Sequence, residues 1–378
     1  MNRQQFAFIL FALALVGTAG LLLINRNRQS WNVRGARVGD KVLPDFRFND
    51  VAAIHVKSGS ADFNVVRKSE LWRLVERSDY PANYGQIKDL LIRMRDLKVV
   101  QSDTVGPSQF ARVGLADPGS GNGSGTLVEF KDQSGKLLNA VIVGKRHLRP
   151  QSQSDPFRLK GLFDGCYVRL PSDPENVLLI SDDLPGAAPE PQGWLNTSFV
   201  KIDNIKSISL VSTNGGNLWT ILREAESRPW SLSDAKSDQG ETPDTMAVSH
   251  IAEILPFLTF ADVLPNGSQT AAGLVKPMML FVETFDRFFY TLKIAGPVRE
   301  RAYLLSVAVK ADISEGADNA KELRDKLARE QAFDSWVYVV ESATIEPLLR
   351  DRSQLLQKKG ITSQETFAPL QLSERHQH

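Results

Sequence analysis

NDVAAIHVKSG, from Asn49 to Gly59, returns in altered form as DNIKSISLVST, from Asp203 to Thr213. Ile54 falls with Ile208 and Val56 with Leu210, and both segments alternate apolar and polar residues as a strand with one buried face does. A repeated strand predicts a repeated folding unit, so the flanking sequence decides the fold.

The parallel continues downstream. FNVVRKSELWRL (Phe63–Leu74) and WTILREAESRPWSL (Trp219–Leu232) each read as two strands joined by a polar turn, with Arg67 against Arg223 and Trp72 against Trp230. Both tryptophans read as core anchors. An amphipathic helix is predicted next in each copy. Ile87, Leu90, Leu91 and Met94 share one face of the first, Ile251, Ile254, Leu255 and Leu258 one face of the second, and Asp244 is placed to cap the latter. VGLADP (Val113–Pro118) and AGLVKP (Ala272–Pro277) keep Gly, Leu and Pro in register, and each leads to a hairpin, Thr126–Gly144 and Met279–Gly296. YVRLPSDPENVLLI (Tyr167–Ile180) is set loosely against VYVVESATIEPLLR (Val337–Arg350), and a charge-rich insertion, Ala311–Phe333, predicts an exposed helix in the second copy alone.

The expected fold class is α+β: an N-terminal transmembrane helix followed by two tandem copies of an antiparallel-sheet-plus-helix unit. Residues 1–40 are the expected anchor and juxtamembrane linker, 41–182 the first repeat and 199–356 the second. Between them, 183–198 reads as a linker, because SDDLPGAAPEPQG (Ser181–Gly193) holds three prolines and two glycines. Residues 357–378 form a polar tail.

The anchor is expected at Phe6–Ile24, an uncharged run of nineteen residues. At 1.5 Å per residue it spans about 28 Å as a helix, against a hydrocarbon core of roughly 30 Å. A cleaved signal peptide is the competing reading, with Gly17 and Ala19 as the small residues, but Leu21–Ile24 carry the apolar run past that point. Arg26, Arg28, Arg34 and Arg37 follow the run while Arg3 precedes it, so charge counting alone would keep the C-terminal side inside. Long domains translocate largely regardless of such charges, and the large domain is expected in the periplasm.

These segments together resemble a known family. The N-terminal apolar run, the DVAAIHV and LWRL strands, the helix ending in DLK, the GLADP turn, the IVGKR strand end and the YVRL strand look like the bacterial domain of unknown function 4340 family. The resemblance covers most of the chain after the anchor. It implies a membrane-tethered repeat domain, often encoded beside ABC-transporter components of the gliding-motility type, hence an accessory role at the envelope. It supplies no catalytic residues.

Composition narrows the chemistry. With 45 basic and 44 acidic side chains the net charge is +1, which gives no global electrostatic footprint for nucleic acid. Cys166 is the only cysteine, so intramolecular disulfides and CxxC pairs are excluded. Five scattered histidines make no HExxH or comparable ligand pattern, no GxSxG elbow occurs, and no cofactor is expected. GSGNGSG (Gly119–Gly125) lacks the Lys-Ser/Thr of a phosphate loop and reads as a flexible turn. His55 reads as a solvated strand residue. The best candidate site is GKRHLRP (Gly144–Pro150): Lys145, Arg146, His147 and Arg149, echoed by Arg299 and Arg301, could receive a phosphate, a carboxylate or an acidic protein surface.

The function expected is that of a non-catalytic accessory or scaffold protein at the bacterial inner membrane, contacting envelope proteins such as transporter subunits. The alternatives are a binding module for an anionic envelope ligand, held in a groove between the copies, or an envelope hydrolase. The last requires His147 to meet a carboxylate or a serine.

Overall fold

The alternation in AIHVK becomes strand β1 (Ala53–Lys57), where Ile54 and Val56 are fully buried and His55 turns to the opposite face. The computed structural model describes residues 38–148, 163–233, 235–236, 241–264, 274, 276–298, 301–314, 316 and 318–357. The expected anchor Phe6–Ile24 and the tail beyond Gln357 lie outside the described residues. Among those described, no helix is long and apolar enough to cross a membrane. The architecture is α+β, with two antiparallel sheets and few helices, and the chain divides into two compact units, Met1–Thr197 and Ser198–His378.

In the first unit β1 is followed by β2 (Asp62–Lys68), β3 (Leu71–Leu74) and β4 (Tyr80–Pro81). Helix α1 (Tyr84–Asp96) comes next, then β5 (Val99–Thr104), a one-turn helix α2 (Phe110–Val113), β6 (Thr126–Lys131), β7 (Leu137–Leu148), β8 (Phe163–Leu170) and β9 (Asp173–Ile180). The strands lie in the order β4-β3-β2-β1-β6-β7-β8-β9-β5. The chain therefore runs outward through a meander, crosses by way of α1 to the far edge, and returns to place β6 beside β1. Asn83 caps α1 by accepting a hydrogen bond from the Gln86 amide at 3.2 Å. Ile87, Leu90 and Met94 are fully buried, and each such side chain contributes about 1.5–3 kcal/mol.

The second unit repeats this plan with β10 (Ile205–Val211), β11 (Asn217–Leu222), β12 (Ser231–Leu232), α3 (Thr245–Ile254), β13 (Asp262–Leu264), β14 (Met278–Thr284), β15 (Phe288–Val298), β16 (Ala302–Ala311), α4 (Ala320–Gln331) and β17 (Val337–Glu341). Its order is β12-β11-β10-β14-β15-β16-β17-β13, the same path without a counterpart of β4 among the described residues. Asp244 caps α3, accepting from the Met246 and Ala247 amides at 3.0 and 3.1 Å. Equivalent core positions stay apolar: Phe63 with Trp219, Val65 with Ile221, Val128 with Leu280, all fully buried.

Three details differ from the sequence reading. YVRL lies in β8, whose counterpart by strand order is β16, while VYVVE is β17 and corresponds to β9; the earlier pairing of Tyr167–Ile180 with Val337–Arg350 is one strand out of step. The insertion carrying α4 occupies the β16–β17 connection, where the first unit has only the short turn from Leu170 to Asp173. Trp72 is buried, but Trp230 is half-buried and sits under the Arg223 guanidinium, 4.8 Å from its ring centre.

The last difference, besides the strand offset and Trp230, concerns residues 183–198. This stretch packs on the first unit's core: Trp194 is fully buried, its indole donates to the Ala188 carbonyl at 2.9 Å, and its ring meets Phe63 edge-on at 6.2 Å. Gly186 lies so close to α1 that a Cβ there would meet Leu90 Cβ at 3.0 Å. Backbone bonds from Asn83 to Trp194 and from Asn196 to Pro81, both 2.9 Å, close the segment onto the sheet edge. Proline and glycine exclude regular secondary structure here without excluding burial.

Candidate functional site

GKRHL forms the end of β7, opposite the start of β8. What surrounds it is set by the segment between β5 and β6, which folds over the sheet's outer face. There Phe110, Leu115, Ile142 and Val177 make a small second core. The approach is close enough to require glycine: a Cβ on Gly144 would meet the Val113 carbonyl oxygen at 2.6 Å, and one on Gly125 would meet Ile142 Cγ2 at 2.4 Å. Of the GSGNGSG run, Gly119 and Gly121 face open space, whereas Gly123 and Gly125 are packed.

A buried cation clips this segment down. Arg169, 5% exposed, donates through Nε to the Leu115 carbonyl at 3.3 Å and through Nη2 to Asp117 at 2.5 Å, and its guanidinium lies 4.6 Å from the Phe110 ring centre. GLADP and YVRL, 52 residues apart at this contact, thus form one structural feature. The second unit has Lys276 in the Asp117 position and, by strand register, Ser306 in the Arg169 position, so both partners differ together.

The clip builds one wall of a cleft of about 440 Å³, formed entirely by residues of the first unit, with Asp103, Gln109, Arg112, Lys145, Arg146 and Tyr167 among its lining. Lys145 Nζ donates to the Arg112 carbonyl at 3.1 Å, and Arg112 Nη1 donates to the Gln109 amide oxygen at 3.0 Å. Arg146 pairs with Asp183 at 3.2 Å and lies 5.9 Å from the Phe163 ring centre. Burial, with Asp103 and Asp164 nearby, holds the Tyr167 hydroxyl protonated to higher pH than usual.

His147 meets a carboxylate. Its Nδ1 donates to Asp164 at 2.5 Å, and its ring stands edge-on to Tyr167 at 5.5 Å. A histidine oriented by a carboxylate is two-thirds of a nucleophile-activating triad, and no serine or cysteine hydroxyl or thiol completes it among the described residues. Cys166, on β8 close by, is 1% exposed, and burial pushes its thiol up to about 11, which leaves it inert as a nucleophile near neutral pH.

Of the remaining candidates, Arg149 and Arg299 lie outside the described residues, and Arg301 is an exposed turn residue of the second unit just before β16. The sequence reading missed Arg112, Tyr167 and Asp164, because a contiguous basic run is visible in sequence while a cleft assembled from β5, α2, β7 and β8 is not. It also treated His55 as merely solvated. In the structure His55 bridges Asp62 at 2.6 Å and Glu129 at 2.8 Å, with Lys57 and Lys131 flanking those carboxylates at 3.4 and 2.9 Å. The His55 hydrogen bond holds Asp62 below its usual carboxylate range; Glu129 is also held low, Lys131 and His55 outweighing its partial burial. This is a cross-strand ion network on a sheet face.

The second unit's equivalent face differs in chemistry. Ser209 replaces His55 and donates or accepts with Thr220 at 2.9 Å, and Phe281 replaces Glu129. Phe281 and Phe289 are 41% and 40% exposed, with exposed Lys293 and Lys310 on the neighbouring positions of the same face.

Comparison with curated proteins and with solved structures gives no match. A family model does match, over residues 72–277, which begins at the LWRL strand, passes through the clip and the cleft, and ends at AGLVKP. That span is more than half of the 378 residues, and the chain belongs to the family described as Domain of unknown function (DUF4340).

Proposed function

We propose that the protein is a non-catalytic accessory protein of the bacterial envelope, tethered to the inner membrane by Phe6–Ile24, that holds its two sheet units in the periplasm and docks them on a protein partner of the ABC-transporter type. The observation that carries this reading is the contrast between the two outer sheet faces. Core positions on the first three paired strands match, while one face carries a closed ion network and the other two exposed phenylalanines.

Exposed aromatics on a regular sheet cost solubility, and aromatic side chains are enriched at the centres of protein interfaces. Phe281 lies diagonal to Phe289 across β14 and β15, within reach for a shared contact. Lys293 and Lys310 flank them, and Glu283, opposite Phe289, is already paired with Lys206, which suits a partner surface that is apolar at its centre and acidic where it meets the two lysines. The uncharged N-terminal run supplies the membrane address.

The test is a photo-crosslinking side chain at position 281 of the full chain in native membranes. The reading expects one discrete adduct with an integral membrane protein, lost in a Phe289→Glu variant and absent when the probe sits at Lys136 on the first unit's hairpin turn. Adducts that are diffuse, or equally strong from both positions, would remove the docking face from the account.

A further inference from the structure

Among the described residues, the first unit's cleft holds positive charge with no carboxylate partner. There Arg112 is tied to a neutral amide oxygen, that of Gln109, and Lys145 to a backbone carbonyl, that of Arg112 itself. Among the described residues no carboxylate pairs with either. Arg146 is different, since Asp183 accepts from it. Asp103, the one carboxylate of the lining, is engaged by the Gln101 side-chain amide at 2.8 Å.

A bonded carbonyl uses one of the three ammonium hydrogens of Lys145, and Gln109 takes one of the five donors of Arg112. The rest are available in a cleft that Tyr167 also lines. The wall that carries Arg112 is fixed by the Arg169 clip and by the glycine contacts at Gly123, Gly125 and Gly144, so the donors are held before any ligand arrives.

We propose that this cleft binds the oxyanion head, phosphate or carboxylate, of an anionic ligand, with Arg112 and Lys145 as the charged donors and Tyr167 as the neutral one. Arg112 supplies the fork that matches two oxygens of one group, and Lys145 a point charge beside it. Asp103 limits the site to a compact anion at the Arg112–Lys145 end, because a second negative group reaching across the cleft would meet a carboxylate. The site belongs to the first unit and Phe281 and Phe289 to the second, so its test and that of the docking face are separable.

Two arms distinguish a soluble anion from a lipid headgroup: inorganic phosphate against chloride at matched ionic strength, and co-sedimentation of the full chain, held in phosphatidylcholine nanodiscs, with phosphatidylglycerol against phosphatidylcholine vesicles. The readout for the first arm is the thermal midpoint of the first unit, followed by exposure of the Cys166 thiol. Phosphate at about ten times its Kd stabilises by about 1.4 kcal/mol and should raise that midpoint by roughly 3–6 °C. Arg112→Gln or Lys145→Gln should reduce the shift and the double variant abolish it, while Lys136→Gln keeps it. Tyr167→Phe, which retains the ring, guards against a folding defect and should weaken binding several-fold. A shift in the first arm assigns a soluble ligand, and vesicle binding that needs both cations assigns a headgroup. If phosphate and chloride act alike and vesicle binding ignores both cations, or if the double variant responds as the parent does, the site is overturned.

Discussion

Replacing Trp194 with alanine is expected to destabilise the first unit by about 3–5 kcal/mol, a large part of what a domain of this size has. The indole is fully buried, packs edge-on against Phe63, and satisfies the Ala188 carbonyl, so alanine leaves a cavity and a lost hydrogen bond together. Cys166 is the natural reporter. Its thiol is buried in β8 and pushed up to about 11, so alkylation at pH 8 requires the unit to open. The variant should react about a hundredfold faster or more, since each 1.4 kcal/mol is a factor of about ten. Unchanged alkylation would mean that residues 183–198 hang outside the core after all.

The second large effect is local. Arg169→Met keeps the stem over Phe110 but removes both hydrogen bonds of the clip, at a cost of about 2–3 kcal/mol. Asp117 is largely exposed and regains water when released, so the loss falls mainly on the Leu115 carbonyl and on the order of residues 110–125. Hydrogen exchange separates this from global unfolding. The Leu115 amide, bonded to the Phe110 carbonyl at 2.9 Å, and the Gly125 amide, bonded to Ala116 at 2.8 Å, should lose protection while Val141 and Val168 in the sheet keep theirs. Equal loss at all four would show that the clip supports the whole sheet. Because Arg112 stands on the released wall, the same variant should also lose the phosphate response of the cleft.

Much of the fold is legible locally. Alternation around Ile54 and Ile208 gives the first strand of each unit, helical spacing gives α1 and α3, Asp244 gives a helix start, and charge density gives α4. Strand order is not legible, because β1 finds β6 across 74 residues at the His55–Glu129 contact and no local signal selects that neighbour. The offset at the end of the repeat has a related cause. Tyr167–Leu170, the end of β8, and Val337–Glu341, which is β17, are both short apolar runs, and the helix inserted between β16 and β17 hides from simple spacing that β16 comes first.

The candidate site divides along the same line. Lys145, Arg146 and His147 are adjacent in sequence and so stand out as a basic run, yet the structure gives them separate tasks: Lys145 faces the cleft with Arg112, Arg146 answers Asp183, and His147 answers Asp164. Which of the three meets a carboxylate, and which has none among the described residues, depends on segments 17 to 37 residues away, and composition cannot report it.

Partition of the full chain between membrane and soluble fractions tests the tethered envelope role most directly. The account predicts that the full chain stays with inner membranes through high-salt and alkaline washes and is released only by detergent, while residues 41–378 are recovered soluble and folded. Recovery of the intact full chain in the soluble fraction, with Phe6–Ile24 still present, would contradict it.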